Sequence, residues 1–393
     1  MSQVSATVSL NPESIIDEAQ RSTGLSDFGS WNFREPMARL LHSLDTEAQL
    51  HEIGRATHRQ RILDILCTRL RFESYLNRYR DIADERIERP VFIVGLPRTG
   101  TTMLHRMLAA DPRFYAAAWW ETRFPVPLSD DDLSRTDDPR IAVAKAEVAA
   151  MLEHVPELAA IHPLDAEEAD EEIMLLEQSF YSTGPESMAN VAGFGQWLAT
   201  QDQTEGYRYL KRLLQFLQWQ KKQRGEVGQQ WVLKSPHHVH CMDVLFKVFP
   251  DAHVIQTHRD PVETIPSLAS FIYSLWRLGS DVADPAIAGR QWNDKMAAGL
   301  AHAMQVRDTL PAERFLDVHF SDTVSRPMDV LERIYHFLQL ELTAAAREAI
   351  ARYRDANRRE QRAPHNYTLE QFALSTEQIQ RNFSQYRSRY IKP

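Results

Sequence analysis

"PVFIVGLPRTGTT", residues 90–102, decides the fold. Its first half, Val91 to Gly95, is a short continuous apolar run rich in β-branched residues, the pattern of a strand covered on both faces. Its second half is spaced like a phosphate cradle: Gly95, four residues, Gly100, then Thr101 and Thr102. A triphosphate enzyme places lysine directly after the second glycine, where it reaches the β- and γ-phosphates. This chain has Thr101 there and an arginine, Arg98, three positions earlier. A ligand without γ-phosphate or magnesium needs no such lysine. It still needs the backbone N–H groups of Gly100 to Met103 at a helix N-terminus, with Pro97 shaping the turn and Thr99, Thr101 and Thr102 supplying hydroxyls. Read without a ligand, the same stretch is a strand-to-helix turn whose threonines cap the helix.

Outward from this stretch the same alternation continues. Strand-like runs recur at "QWVLKS" (230–235), "AHVIQTHR" (252–259) and "RFLDVHF" (314–320). Helical patterns follow the first three runs: "TTMLHRMLAA", "HVHCMDVLFKVF" and "PVETIPSLASFIYSLW". Strands alternating with helices predict an α/β, P-loop-type three-layer fold with a mostly parallel central sheet. Ligands in such folds bind at the carboxyl ends of the strands. Positions 12–88 instead carry apolar residues at three- and four-residue spacing, as in "RILDILCTRLRFESYL". Residues 1–88 therefore read as a helical N-terminal extension and 89–393 as the main domain. Within it, 125–229 shows helical pieces such as "DPRIAVAKAEVAAMLEHV" and "YRYLKRLLQFLQWQKKQ" and no comparable strand, so it reads as a helical insertion over the sheet's carboxyl edge.

Composition narrows the function. The 393 residues are 43% hydrophobic and 25% charged with a formal net charge of -9. That places the chain among globular proteins and argues against a general nucleic-acid binder, which needs a basic face to neutralise phosphates. Cys67 and Cys241 are the only cysteines, too few for a disulfide framework at this size and in keeping with a reducing compartment. No basic leader and no run of ~18 apolar residues appears, which predicts no integral membrane segment and a cytoplasmic location.

A second element complements the loop. "HVIQTHRDPVETIPSLAS" puts Arg259 at a strand end and Ser267 eight residues on, about two helical turns along the next helix, spacing that lets a guanidinium and a hydroxyl converge on a second phosphate. Read alone, these are a surface arginine and a helical serine. Together the two elements resemble the sulfotransferase superfamily, whose donor is 3′-phosphoadenosine 5′-phosphosulfate. "GLPRTGTT" is similar to that family's 5′-phosphosulfate loop, and Arg259 with Ser267 matches its 3′-phosphate motif. The donor's isolated 3′-phosphate and 5′-phosphosulfate account for both motifs and for the missing lysine. Arginine at 98 resembles the tyrosylprotein sulfotransferases, where most cytosolic members carry lysine.

The resemblance extends to "WWETRFP", similar to a Glu-Thr-Arg run whose glutamate is the base; it implies Glu121 as base and Arg123 as an aid to the sulfuryl group or the acceptor. "VLKSPHH" resembles the Lys-Thr-His segment of the cytosolic enzymes. It implies Lys234 at the donor, but Pro236 fills the histidine position and leaves His237 and His238 as further candidate bases. The family's glycine-rich C-terminal loop is absent; Arg359, Arg362, His365 and Tyr367 occupy the corresponding region and are candidate ligands of the 3′-phosphate. The implied reaction is in-line transfer of a sulfuryl group to a hydroxyl or amine of a small-molecule, lipid or carbohydrate acceptor, with Arg98 and Lys234 stabilising charge on the leaving phosphate. Burial beside Trp119 and Trp120 is expected to raise the Glu121 pKa toward neutrality. Glu168, in the acidic run "DAEEADEE", is the remaining candidate acid and a candidate acceptor contact.

Other signals fit this reading less well. "HHVHC" holds potential metal ligands, but no second Cys/His cluster completes a tetrahedral site, and no metal is expected. A P-loop kinase using Mg-ATP would need the lysine that Thr101 replaces. A non-catalytic nucleotide-fold binding module would leave both phosphate motifs without a ligand.

Overall fold

The computed structural model describes residues 8–128, 133–135, 137–156, 158, 164–357 and 367–391. Its centre is a five-stranded parallel sheet: β1 (Val91–Gly95), β2 (Phe114–Tyr115), β3 (Gln230–Lys234), β4 (His253–His258) and β5 (Phe315–His319). The order is β2-β3-β1-β4-β5, so β1 lies in the middle, registered with β3 through Val91↔Val232 and with β4 through Val91↔His253. Four strands coincide with the expected runs. β2 was not expected, because two residues are too few to register as a run.

Every residue of β1, β3 and β4 is buried, which is why these strands read as uninterrupted apolar segments. Phe92 and Val94 face one apolar layer with Leu233 and Val254, while Val91 and Ile93 face the other with Val232, Ile255 and Leu104. The two-residue alternation of the strands thus divides the core into the two flanking layers of a three-layer fold.

Three helices form the N-terminal part: α1 (Pro12–Thr23), α2 (Arg34–Thr46) and α3 (Glu52–Arg78). Asn11 caps α1 by accepting from Ser14 N at 3.0 Å, with Pro12 in the first turn. The apolar faces of α1, α2 and α3 bury Ile16, Leu40 and Leu66 in a cluster completed by Phe180, Phe194 and Leu198 from the insertion. Gly54 of α3 packs so closely that a Cβ would lie 2.2 Å from the Gly279 carbonyl oxygen.

After β1 come α4 (Thr101–Ala109), α5 (Trp119–Arg123), α6 (Pro139–His154), α7 (Ile173–Glu177), α8 (Gly184–Met188) and α9 (Thr204–Gln223). The last four belong to the helical insertion. The helix expected over 238–249 is divided in two, a 3-10 turn at Pro236–His240 and α10 (Met242–Val248), with Cys241 (φ -138) between them. His237, His238 and Val239 are all buried, and the tighter turn points these consecutive side chains into different parts of the core. Helix α11 (Pro261–Trp276) follows β4, and α12 (Pro285–Arg307) precedes β5. Three helices open on the dipeptide Asp-Pro: Asp138, Asp260 and Asp284 cap α6, α11 and α12, and each is followed by a proline that needs no hydrogen-bonded N–H. Near the C-terminus α13 (Ser384–Tyr390) returns to the end of β4, where Tyr386 Oη lies 2.9 Å from His258 Nδ1 and Arg387 pairs with Asp260 at 2.9 Å.

Gly95 ends β1 against β4. A Cβ there would lie 2.4 Å from Thr257 Oγ1 and 2.8 Å from the Thr257 carbonyl oxygen. Gly95→Ala is therefore expected to force β1 and β4 apart at the head of the loop and to cost about 1–3 kcal/mol, as overpacking does. Urea unfolding checks this; a midpoint equal to wild type would show that the strand ends yield freely.

Candidate active site

The loop between β1 and α4 is built from within. Thr99 is 1% exposed, and its hydroxyl lies 2.7 Å from both the Leu96 carbonyl oxygen and Thr257 Oγ1. That hydroxyl anchors the loop to β4 instead of facing a ligand. Arg98 and Gly100 both take positive φ, 71° and 83°. For Gly100 the cost is small; for Arg98 the left-handed conformation costs roughly 1–2 kcal/mol, and its contacts hold it there. Arg98 Nε donates to Ser267 Oγ at 3.2 Å, and the Arg98 carbonyl accepts from Arg259 Nη1 at 3.1 Å. Arg259 is fixed in turn by Glu263 Oε2 at 2.7 Å and by the ring of Phe320, whose centroid lies 4.2 Å from its guanidinium carbon. The loop arginine, the strand-end arginine and the helix serine singled out from sequence thus meet at one place.

A cavity of ≈ 220 Å³ opens directly onto this loop. Gly95, Pro97, Arg98, Thr101 and Thr102 form its floor, below the N-terminus of α4, where backbone N–H groups and the helix dipole favour an anion. Its walls are mostly apolar: Met151, Leu164, Met174 and Met188 come from the insertion, and Phe271, Leu275 and Met296 from α11 and α12. A larger groove of ≈ 910 Å³ lies at the opposite, N-terminal ends of β4 and β5, lined by residues such as His253, Arg314 and Leu316, away from the loop.

Lys234, at the carboxyl end of β3, is 1% exposed. Its Nζ donates to Thr102 Oγ1 at 3.3 Å and pairs with Glu171. Glu171 lines the cavity and its side chain keeps 19% exposure, so a carboxylate stands beside the lysine with access to the cavity. Its neighbour Glu172 is fully buried and accepts from Lys234 N at 2.7 Å. Both members of this pair lie in the acidic run that a sequence reader assigns to solvent. The segment is drawn inward by the buried Ala166 and Ala169 and by the bridge between Ala118 and Ala169, which leaves Glu172 buried and Glu171 at the cavity.

The structure separates Glu121 from Arg123. They are two positions apart on α5, so their side chains leave opposite faces of the helix. Arg123 lines the cavity and is held by Glu147 at 2.8 Å and Asp64 at 3.2 Å. Glu121, 1% exposed, points away from the cavity. Its carboxylate accepts from Arg224 Nη2 at 2.7 Å, Lys221 Nζ at 2.7 Å and Ala118 N at 3.0 Å. Burial pushes its carboxyl up, but Lys221 and Arg224 outweigh that and hold it below the ordinary glutamate value. The upward shift expected from sequence is therefore reversed, because two cations from the far end of α9 reach it.

The remaining candidates lie behind the cavity. His238 is fully buried between Glu172, at 2.5 Å from Nε2, and Tyr207 Oη, at 2.7 Å from Nδ1. His237 Nδ1 accepts from Thr183 N at 3.3 Å, and burial with neighbouring imidazoles keeps its pKa well below 6.5, so the ring is neutral at pH 7. Thr183, not His237, lines the cavity. Glu168 is half-buried, with a pKa raised by burial, and does not line the cavity; its backbone carbonyl accepts from Trp119 N at 3.0 Å. Tyr367 packs against the main apolar core, and Arg359, Arg362 and His365 lie outside the described residues.

With this geometry in place, comparison with known proteins gives the class. A model of the Sulfotransferase family matches residues 90–344, and the chain belongs to that family. Over 262 residues it is 26% identical to omega-hydroxy-beta-dihydromenaquinone-9 sulfotransferase Stf3 of Mycobacterium bovis, and equally to that of Mycobacterium tuberculosis; the match spans 64% of this chain and 63% of those relatives. Two solved structures extend the likeness to nearly the whole chain. Sulfotransferase STF9 from Mycobacterium avium superposes with a TM-score of 0.86 at 27% identity, covering 100% of this chain and 99% of that one. Sulfotransferase STF1 from Mycobacterium tuberculosis H37Rv gives 0.83 at 29%, covering 96% and 99%.

Glu121→Gln is expected to lower stability by about 3–5 kcal/mol, since it leaves two buried cations short of their counter-charge. Turnover per folded molecule should stay near wild type. The wild-type contribution is linked to pH. A carboxyl held below its unfolded pKa of about 4.3 stabilises fully above that value and progressively less as pH falls through the folded one. Acid unfolding of wild type and variant should therefore converge at low pH. Loss of turnover at unchanged stability would instead return Glu121 to the reacting centre.

Proposed function

We propose that this sulfotransferase moves a sulfuryl group from 3′-phosphoadenosine 5′-phosphosulfate to a hydroxyl on an apolar, lipid-class acceptor. The observation that carries the proposal is the junction of Arg98, Ser267 and Arg259 at the mouth of an apolar cavity. A donor with both a 5′-phosphosulfate and a 3′-phosphate uses all three residues, whereas a triphosphate would leave the second pair idle. Backbone N–H groups at the start of α4, with Thr101 and Thr102, suit the 5′-phosphosulfate; Arg259 and Ser267 suit the 3′-phosphate. The acceptor class is supported by the methionine- and leucine-rich walls, and by the Mycobacterium bovis relative, whose name gives a hydroxylated menaquinone as its substrate.

In this reading Glu171 is the general base. It removes the acceptor proton as the acceptor oxygen bonds to sulfur, while the bond from sulfur to the 5′-phosphate oxygen breaks and leaves its electron pair on phosphate. Lys234 and Arg98 stabilise the charge that builds on that phosphate. Lys234 already contacts both Glu171 and Thr102, so one ammonium links the base to the phosphate loop. Residues 1–88 and 125–229 serve the acceptor side, and the strand ends serve the donor.

A thermal-shift titration with 3′-phosphoadenosine 5′-phosphate, run beside Mg-ATP, tests the donor. At ~100 times the dissociation constant a ligand of the native state adds ~2.7 kcal/mol, and Arg259→Ala should abolish the shift. A shift with Mg-ATP alone would refute the donor assignment. For the base, Glu171→Gln should lower kcat by ~100-fold or more while the bisphosphate shift persists. Undiminished kcat would exclude Glu171.

A further inference from the structure

The cavity's apolar wall is interrupted by two guanidiniums, Arg61 and Arg123. Arg61 belongs to α3, upstream of the 90–344 segment that defines the family. Its Nε donates to Glu177 Oε1 at 2.7 Å and its Nη2 to Glu177 Oε2, a two-pronged pair that fixes the plane of the group. Arg123 is fixed similarly, Nε on Glu147 and Nη2 on Asp64. In both side chains the Nη1 amino group makes no hydrogen bond to another described residue. Each arginine is thus held rigidly by one edge while donors on the other remain for a ligand in the cavity.

Charge decides what kind of ligand that is. Two guanidiniums face the three carboxylates Glu177, Glu147 and Asp64, so no surplus positive charge is left to attract an anion. A neutral oxygen acceptor, such as a carbonyl, satisfies the free N–H groups without adding charge. Resting on the assignment of this cavity to the acceptor, we infer that the acceptor carries a second oxygen function, a neutral carbonyl remote from the reacting hydroxyl, and that Arg61, with Arg123, recognises it. The N-terminal helix then determines acceptor choice through Arg61. The reacting hydroxyl sits at the Glu171 end, and the carbonyl is read where α3 meets α7.

The test compares two probe series of matched chain length, alkan-1-ols and ω-hydroxy methyl ketones. At the best-fitting length the wild-type enzyme should prefer the ketone by roughly tenfold or more in kcat/KM, the worth of a hydrogen bond to a charged donor, and chiefly through KM. Arg61→Met should erase that preference, read as the ketone-to-alkanol ratio of kcat/KM, while the thermal shift with 3′-phosphoadenosine 5′-phosphate persists. Because Arg61→Met strands Glu177, the double variant Arg61→Met/Glu177→Met provides a charge-balanced version with the same expected loss. Equal kcat/KM for both series at every length overturns the inference, as does a ketone preference that survives both variants. A bisphosphate shift with no turnover of either series also overturns it, whereas absence of that shift brings down the donor assignment instead.

Discussion

Glycine at position 95 lets the end of β1 close directly on Thr257 of β4, and the site depends on that contact. With no side chain in the way, Thr257 Oγ1 reaches Thr99 Oγ1 at 2.7 Å and ties the phosphate loop to the neighbouring strand. The tie brings Arg98 beside the residues that follow β4, so its carbonyl meets Arg259 and its guanidinium meets Ser267. An arginine in the left-handed region is uncommon, and here two hydrogen bonds of its own and the Thr99–Thr257 tie beside it hold it there. The strain is held by strand pairing and hydrogen bonds already formed before any ligand arrives. The loop between β1 and α4 is in this sense preorganised.

Legibility followed the range of the interactions. Strands β1, β3 and β4 could be read because burial on both faces leaves a continuous apolar run. Arg98, Arg259 and Ser267 could be read because each sits at a fixed offset from a strand end, and the parallel sheet brings strand ends together by topology alone. The Glu121 pKa runs opposite to the expected direction because what sets it is not local. Its partner Arg224 lies 103 residues away, at the end of a helix whose register against α5 no short pattern specifies. Glu171 escaped notice for the converse reason. An acidic run is ordinarily solvated, and only the tertiary fold brings one member against Lys234 at the cavity.

The carboxylates around the site divide by what surrounds them. Glu121 and Glu172 are sealed from water and have every oxygen engaged, Glu121 by two cations and a backbone N–H, Glu172 by His238 and the Lys234 N–H. Such groups fix geometry, because protonating either one would undo hydrogen bonds the fold relies on. Glu171 retains exposure to the cavity and one lysine partner. A group that must take up a proton during turnover needs an acceptor oxygen within reach of substrate, and partial exposure provides it. Burial, the property expected from sequence to tune Glu121, comes in the structure with two cations that hold its carboxylate charged.

The two halves of the site rest on different architecture. The contacts proposed for the donor come from the loops after β1, β3 and β4, whose positions are locked by the sheet. The cavity walls come from helices of the insertion and from α3, α5, α11 and α12; the ion pair Arg61–Glu177 connects α3 to the insertion, and Asp64–Arg123 connects it to α5. Substitutions on those helices change the lining without touching strand register, so acceptor choice can vary while donor chemistry stays fixed. A helix outside the family-defining segment is well placed for this, since α3 is packed by its own apolar cluster and reaches the cavity through Arg61. On the proposed assignment, reactivity is set by the sheet and selectivity by side chains the sheet does not constrain.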